Sequence, residues 1–170
     1  GRGGKGCVVV FAAGNSPGLP MDYPNRHPEV IAVGATDHSD VLWHYSTYGP
    51  DLDLMAPSGC DGSWCGEMAS FWSTDQMGPG GYSDRNSDMT LLDYGEYWGG
   101  TSASCPIVAG VAALILSVNP TLTNEDVRFI LYRSAKDLGD PGWDEYYGWG
   151  RVDARAAVEM ALVNTLPAIY

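Results

Sequence analysis

Apolar positions fall in three short runs near the beginning of the chain and three longer blocks near its end. Residues 7–13 read CVVVFAA and residues 30–36 read VIAVGAT, each unbroken by polar side chains apart from the closing threonine. Short β-branched runs without alternation predict strands covered on both faces, as in parallel sheets. Residues 52–56 form a shorter third run, stopped by Pro57. Further on, residues 102–118 place Ile107, Val108, Val111, Leu114, Ile115, Leu116 and Val118 nearly all round a helix. That pattern predicts a helix buried on every side. Asn119-Pro120 ends it. A second helix is predicted over residues 124–134, with Thr123 as N-cap and Glu125 and Asp126 in the first turn. A third is predicted over residues 153–163, again opened by an Asp. Parallel-type strands combined with buried and flanking helices give an α/β class. Three strands are too few for a full domain sheet, so the remaining ones are expected upstream of residue 1.

Between the two halves the character changes. Residues 58–100 are rich in Gly, Ser, Asp, Tyr and Trp and show no sustained period. So long a connection in a compact domain points to a functional or inserted segment. A short strand is expected near residues 69–73.

Composition adds limits rather than identity. The chain has 170 residues, 45% apolar and 18% charged, which is enough for one domain with a real core. The 22 glycines call for many tight turns. A net charge of −12 argues against nucleic acid or an anionic membrane as a partner. No uninterrupted apolar run reaches the roughly 20 residues of a membrane helix. The chain opens GRGGKG with no initiator Met and no signal peptide, so it reads as a fragment of a longer protein. Of four cysteines, Cys7 and Cys105 lie in apolar surroundings that suggest buried thiols. Cys60 and Cys65 share a Gly-rich loop, either as a local disulfide or as free thiols; a zinc site lacks a second close Cys or His pair.

Chemistry concentrates at Gly99-Gly100-Thr101-Ser102-Ala103-Ser104-Cys105-Pro106. A serine here opens a helix whose first N–H groups favour negative charge. Two glycines before it allow close backbone approach, and Pro106 falls where its missing N–H costs little. On these grounds Ser102 is either a plain helix cap or a nucleophile beside an anion hole. Similarly, Ala12-Ala13-Gly14-Asn15 ends a strand in what is either a simple turn or a polar site.

Gly100-Thr101-Ser102 with Pro106 and Val108-Ala109-Gly110 resembles the nucleophile segment of subtilisin-like serine proteases. The resemblance implies a subtilisin-like three-layer α/β fold with a mainly parallel sheet, incomplete in this chain. It implies that Ser102 is the acylating residue and that Ser102 N–H and the Asn15 side-chain amide bind the oxyanion. Ala12, Ala13, Gly14, Gly100 and Thr101 would line the substrate. Sedolisins share the Gly-Thr-Ser segment but use an acidic oxyanion residue, so Asn15 favours the subtilisin branch. Residues 23–35, 49–57 and 147–153 also look like family segments, leaving about 59–98 as a lineage insertion in a domain that otherwise runs 1–170.

The family's His-Gly-Thr and Asp-x-Gly segments do not occur here, and His27, His38 and His44 have other neighbours. The chain alone is therefore expected to be inactive, its His and Asp supplied by the N-terminal half of the same catalytic domain. The rival expectation is a non-catalytic scaffold or binding module on this fold. The resemblance further implies peptide or protein substrates, secretion, and no cofactor for the chemistry. Asp22, just before Tyr23-Pro24, is either the base of a pocket favouring Lys or Arg or a solvated turn residue. Asn25, His27, Val30, Asp51 and Asp53 form a candidate structural site for Ca²⁺ or Na⁺.

Overall fold

A computed structural model describes residues 1–60, 71–78, 80–81 and 93–163. Its centre is β2 (Val30–Thr36), all seven residues of which are buried. β1 (Val9–Ala12) and β3 (Leu54–Pro57) pair with β2 on either side, both parallel, in the order β1-β2-β3. Val9 pairs with Val30 and Val33 with Leu54.

The unbroken apolar run of β2 follows from cover on both faces. Ile31 and Val33 join Leu54 and Ala56 against the helices, whereas Ala32 turns to a second cluster with Ala13, Met21, Leu52 and Met55. Full burial of one such aliphatic side chain contributes about 1.5–3 kcal/mol.

Three helices pack on the first face: α1 (Thr101–Val118), α2 (Asn124–Ser134) and α3 (Ala154–Leu162). Val108, Val111, Ala112 and Ile115 of α1 meet Val127, Ile130 and Leu131 of α2 and Ala157 and Ala161 of α3. The caps are as expected. Thr123 and Asp126 form a reciprocal capping box, and Asp153 accepts from Ala156 N–H at the start of α3.

Two burial expectations are corrected. β1 is not covered on both faces: Val9 is 39% and Phe11 40% exposed, because the strand is the outer edge of the described sheet. Likewise α1 is not buried all round, since Leu114 and Val118 are exposed along an outward stripe shared with Pro106, Ala109 and Ala113. By length and composition α1 could cross a membrane, with 18 residues at mean hydropathy 1.9, which reading uninterrupted runs had not suggested. Its inward side is the centre of the main core, packed on the sheet, α2 and α3. The thiols also differ from expectation: Cys7 is exposed just before the edge strand, and Cys105 is half-buried in the first turns of α1.

Cys60 is disulfide-bonded. Cys65 lies outside the described residues, as do Ala69 and Ser70 of the expected short strand. That strand is β4 (Phe71–Thr74). It pairs antiparallel with β5 (Tyr94–Trp98), which the sequence reading missed. β5 leads directly into the Gly99-Gly100 turn before α1.

Candidate active site

The turn before α1 settles the first alternative at Ser102. The N-cap position belongs to Gly100, at φ 76°, and no side chain caps the helix. Ser102 therefore does not cap; it stands in the first turn of α1, exposed, where the helix dipole favours negative charge. Two residues on, the buried Ser104 hydroxyl donates to the Ala56 carbonyl at 2.9 Å and ties the helix start to β3.

Asn15 is held opposite this turn. Its Oδ1 accepts from Thr101 N–H at 2.9 Å and from Thr101 Oγ1 at 3.0 Å. A backbone N–H can only donate, so these bonds fix which end of the amide is which. Nδ2 is left with its protons to offer. Thr101 Oγ1 in turn accepts from Gly14 N–H at 3.2 Å, so one buried threonine ties the two loops together. A Cβ at Gly100 would lie 2.9 Å from Asn15 Nδ2, which makes glycine a packing requirement as well as a backbone one. Gly14, at φ 111°, is held from the other side: Thr47 N–H donates to its carbonyl at 2.9 Å, and Thr47 Oγ1 accepts from Ser16 N–H at 3.0 Å.

Ala13 and Gly14 also open a pocket of ≈ 460 Å³, lined further by Met21, Asp22, Arg26 and Thr47. Asp22 thus belongs to the same pocket as the Asn15 loop, but Arg26 shares it. Asn25 lines this pocket too, and its side-chain amide donates to the Ala12 carbonyl at 2.8 Å.

The other residues considered for a cation gather elsewhere. His27, Val30, Asp51 and Asp53 line a second pocket of ≈ 240 Å³. Asp53 accepts from Ala32 N–H at 2.8 Å and from Tyr132 OH at 2.7 Å. Burial nevertheless lifts its carboxyl above the ordinary carboxylate range, against the pull of these bonds and of nearby Arg128. Burial and the Asp53 carboxylate push the Tyr132 phenol up as well. Among the described residues no group of three His, Cys, Asp or Glu side chains is arranged to hold a metal. His27 Nδ1 accepts from Glu29 N–H, and His44 packs edge-on against Trp43 and Tyr45. Among the described residues no histidine hydrogen-bonds Ser102.

Sequence reasoning missed the supports behind the turn. Thr47, Tyr45 and Ser58 reach it from 42 to 87 residues away or act through residues that do, and no local pattern marks them.

The chain matches the model of the subtilase family of peptidases over residues 1–150. It is a member of that family. It is 39% identical over 173 residues to a calcium-dependent protease of Trichormus variabilis, covering 95% of this chain and 26% of the relative. It is 33% identical over 155 residues to the halolysin-like extracellular serine protease Nep of Natrialba magadii, covering 90% of this chain and 23% of the relative. Among solved structures, a serine protease of Aeromonas sobria superposes with a TM-score of 0.81 at 25% identity, covering 98% of this chain and 38% of that one. The chain thus spans about a quarter of the length of these curated relatives. Its fold is subtilisin-like: α/β with a parallel sheet, of which the described part holds three strands.

Proposed function

We propose that this chain is the nucleophile-bearing part of a secreted serine endopeptidase. The observation that carries the reading is the Thr101–Asn15 bond pair, which aims a side-chain amide at the turn where Ser102 stands. Ser102 Oγ forms a bond to the scissile carbonyl carbon and gives its proton to a histidine. The carbonyl oxygen takes the negative charge and accepts from Ser102 N–H and Asn15 Nδ2. The C–N bond then breaks, the proton passes to the leaving amine, and water releases the acyl group by the same steps in reverse.

The histidine, and the aspartate that orients it, come from a segment outside this chain. Support lies in the outer edge of β1 in the described sheet, which a further strand would cover, and in the outward apolar stripe of α1, which another element of a larger domain would cover. Secretion is supported by the disulfide at Cys60, which persists in oxidising surroundings, and by the extracellular relative.

A fluorophosphonate probe tests the core of the reading. The full-length protein should label, Ser102→Ala should not, and this chain alone should label only when the missing half is added. Failure of the full-length protein to label would favour a non-catalytic module on the same fold.

A structural cation beside Asp51 and Asp53 belongs to the same reading. The half-buried Asp53 carboxyl forms no ion pair among the described residues and opens on a pocket shared with Asp51, so a bound Ca²⁺ or Na⁺ would add counter-charge beyond that of nearby Arg128. Calcium returned to the chelated full-length protein should raise the melting temperature by several degrees, since a ligand at 100 times its Kd stabilises by about 2.7 kcal/mol. An unchanged melt in both Asp51→Asn and the parent sinks this part.

A further inference from the structure

The nucleophile turn is held from behind by an aromatic platform. The Tyr45 hydroxyl is buried between two backbone groups: it donates to the Gly59 carbonyl at 2.6 Å and accepts from Gly100 N–H at 3.2 Å. On the other side of the same residue, Ser58 Oγ donates to the Gly100 carbonyl at 2.7 Å. The next backbone donor, Thr101 N–H, goes to Asn15. Three successive backbone groups are therefore taken by side chains from three separate segments.

The platform itself is fixed. The Tyr45 ring stacks on Trp43 with centroids 5.5 Å apart and planes 12° apart. Trp43 Nε1–H donates to the Ser58 carbonyl at 2.9 Å, so the two rings grip the loop at 58–59 as well as the turn. Gly99 lies so close to Gly59 that an added Cβ would meet its carbonyl.

From this arrangement we infer that Tyr45 is a positioning residue for the catalytic turn. It acts through Gly100 rather than at the reacting atoms. Its hydroxyl locks Gly100, and Gly100 sets where Thr101 holds Asn15 and where Ser102 N–H points. Both oxyanion donors hang from this peptide, so its play is passed to both. Oxyanion donors act by being in place before charge develops, so loosening them slows the chemical step and leaves ground-state binding alone. The inference rests on the endopeptidase reading above.

The test uses the full-length protease and Tyr45→Phe, which keeps the ring and removes the hydroxyl. The expected result is a fall in kcat of about tenfold or more, with KM within twofold. Affinity for a peptidyl aldehyde, which forms a tetrahedral adduct on the serine, should fall in parallel, whereas affinity for the matching product peptide should not. In an Asn15→Ala background the Tyr45→Phe penalty should shrink, because one of the two donors it places is already gone. Equal losses in kcat and in product-peptide affinity would mean general loosening and overturn the inference, as would unchanged kcat. Should Tyr45→Phe fail to fold, Ser58→Ala frees the carbonyl side of the same residue, and unchanged kcat there also overturns it. Full activity in Asn15→Ala, or activity above background in Ser102→Ala, would instead remove the endopeptidase reading underneath.

Discussion

At the scale of single residues, the site depends on which proton each atom can give. Thr101 accepts from Gly14 N–H and donates to Asn15 Oδ1, so one hydroxyl fixes both a loop and an amide. Asn15 and Ser102 drew notice in the sequence because they lie in short, contiguous motifs, and the structure brings those motifs together through Thr101. The partners of Asp22 were not, because the pocket wall is assembled from separate stretches, Ala13 to Ser16, Leu19 to Arg26 and Thr47. Asp22 and Arg26 are both exposed at that pocket, so a Lys or Arg side chain entering it would compete with Arg26 for the carboxylate. For the full-length enzyme we expect faster cleavage after Arg than after Phe or Leu. Asp22→Ala should cut that preference about tenfold, the rough worth of one charge-assisted contact. Peptides matched except at the P1 position would measure it, and faster cleavage after Phe in the parent would refute the assignment.

At the scale of elements, local rules account for ends and tertiary packing accounts for faces. Thr123 and Asp126 satisfy two orphan donors of α2 reciprocally, and Thr123 is exposed, so little else depends on its hydroxyl. Thr123→Ala should destabilise by about 1 kcal/mol, read as a small drop in melting temperature with kcat unchanged. A loss of activity at temperatures well below the melt would show that α2 does more than brace the core. For α1, apolar content predicted burial all round, but its side chains divide into a face packed on β1–β3 and a stripe of mainly small residues facing outward. Hydrophobicity gives the need for cover, not the identity of what covers it. β5 escaped notice for a related reason: a two-stranded ribbon with a bulge alternates weakly and carries exposed Tyr94 and Trp98.

At the scale of the whole molecule, Asp40 fastens distant segments through charge. Asp40, in the β2–β3 connection, meets Lys136 Nζ at 2.7 Å and Arg151 Nε at 2.5 Å, both from the region between α2 and α3. The hydrogen bond from Lys136, aided by the charge of Arg151, holds the Asp40 carboxyl below its ordinary range despite some burial. A depressed folded-state value means the contribution is present above the ordinary carboxylate range and is lost as pH falls through the lowered one. Lys136 is 54% exposed, so solvent screens the pair and its worth stays modest. Asp40→Asn should lower the melting temperature slightly at neutral pH, with the difference from the parent closing in acid. A difference that widened in acid would reverse the sign and refute the assignment. What the sequence determined by itself were the strands from unbroken apolar runs, the helices, two of their capped starts and the family's Gly-Thr-Ser segment, because those are encoded in neighbours along the chain. Only the tertiary structure decided that Gly100 rather than Ser102 caps α1, that Thr101 orients Asn15, and that Tyr45 and Ser58 grip the turn. Those facts depend on hydrogen bonds between residues 42 to 86 positions apart, which no local pattern records.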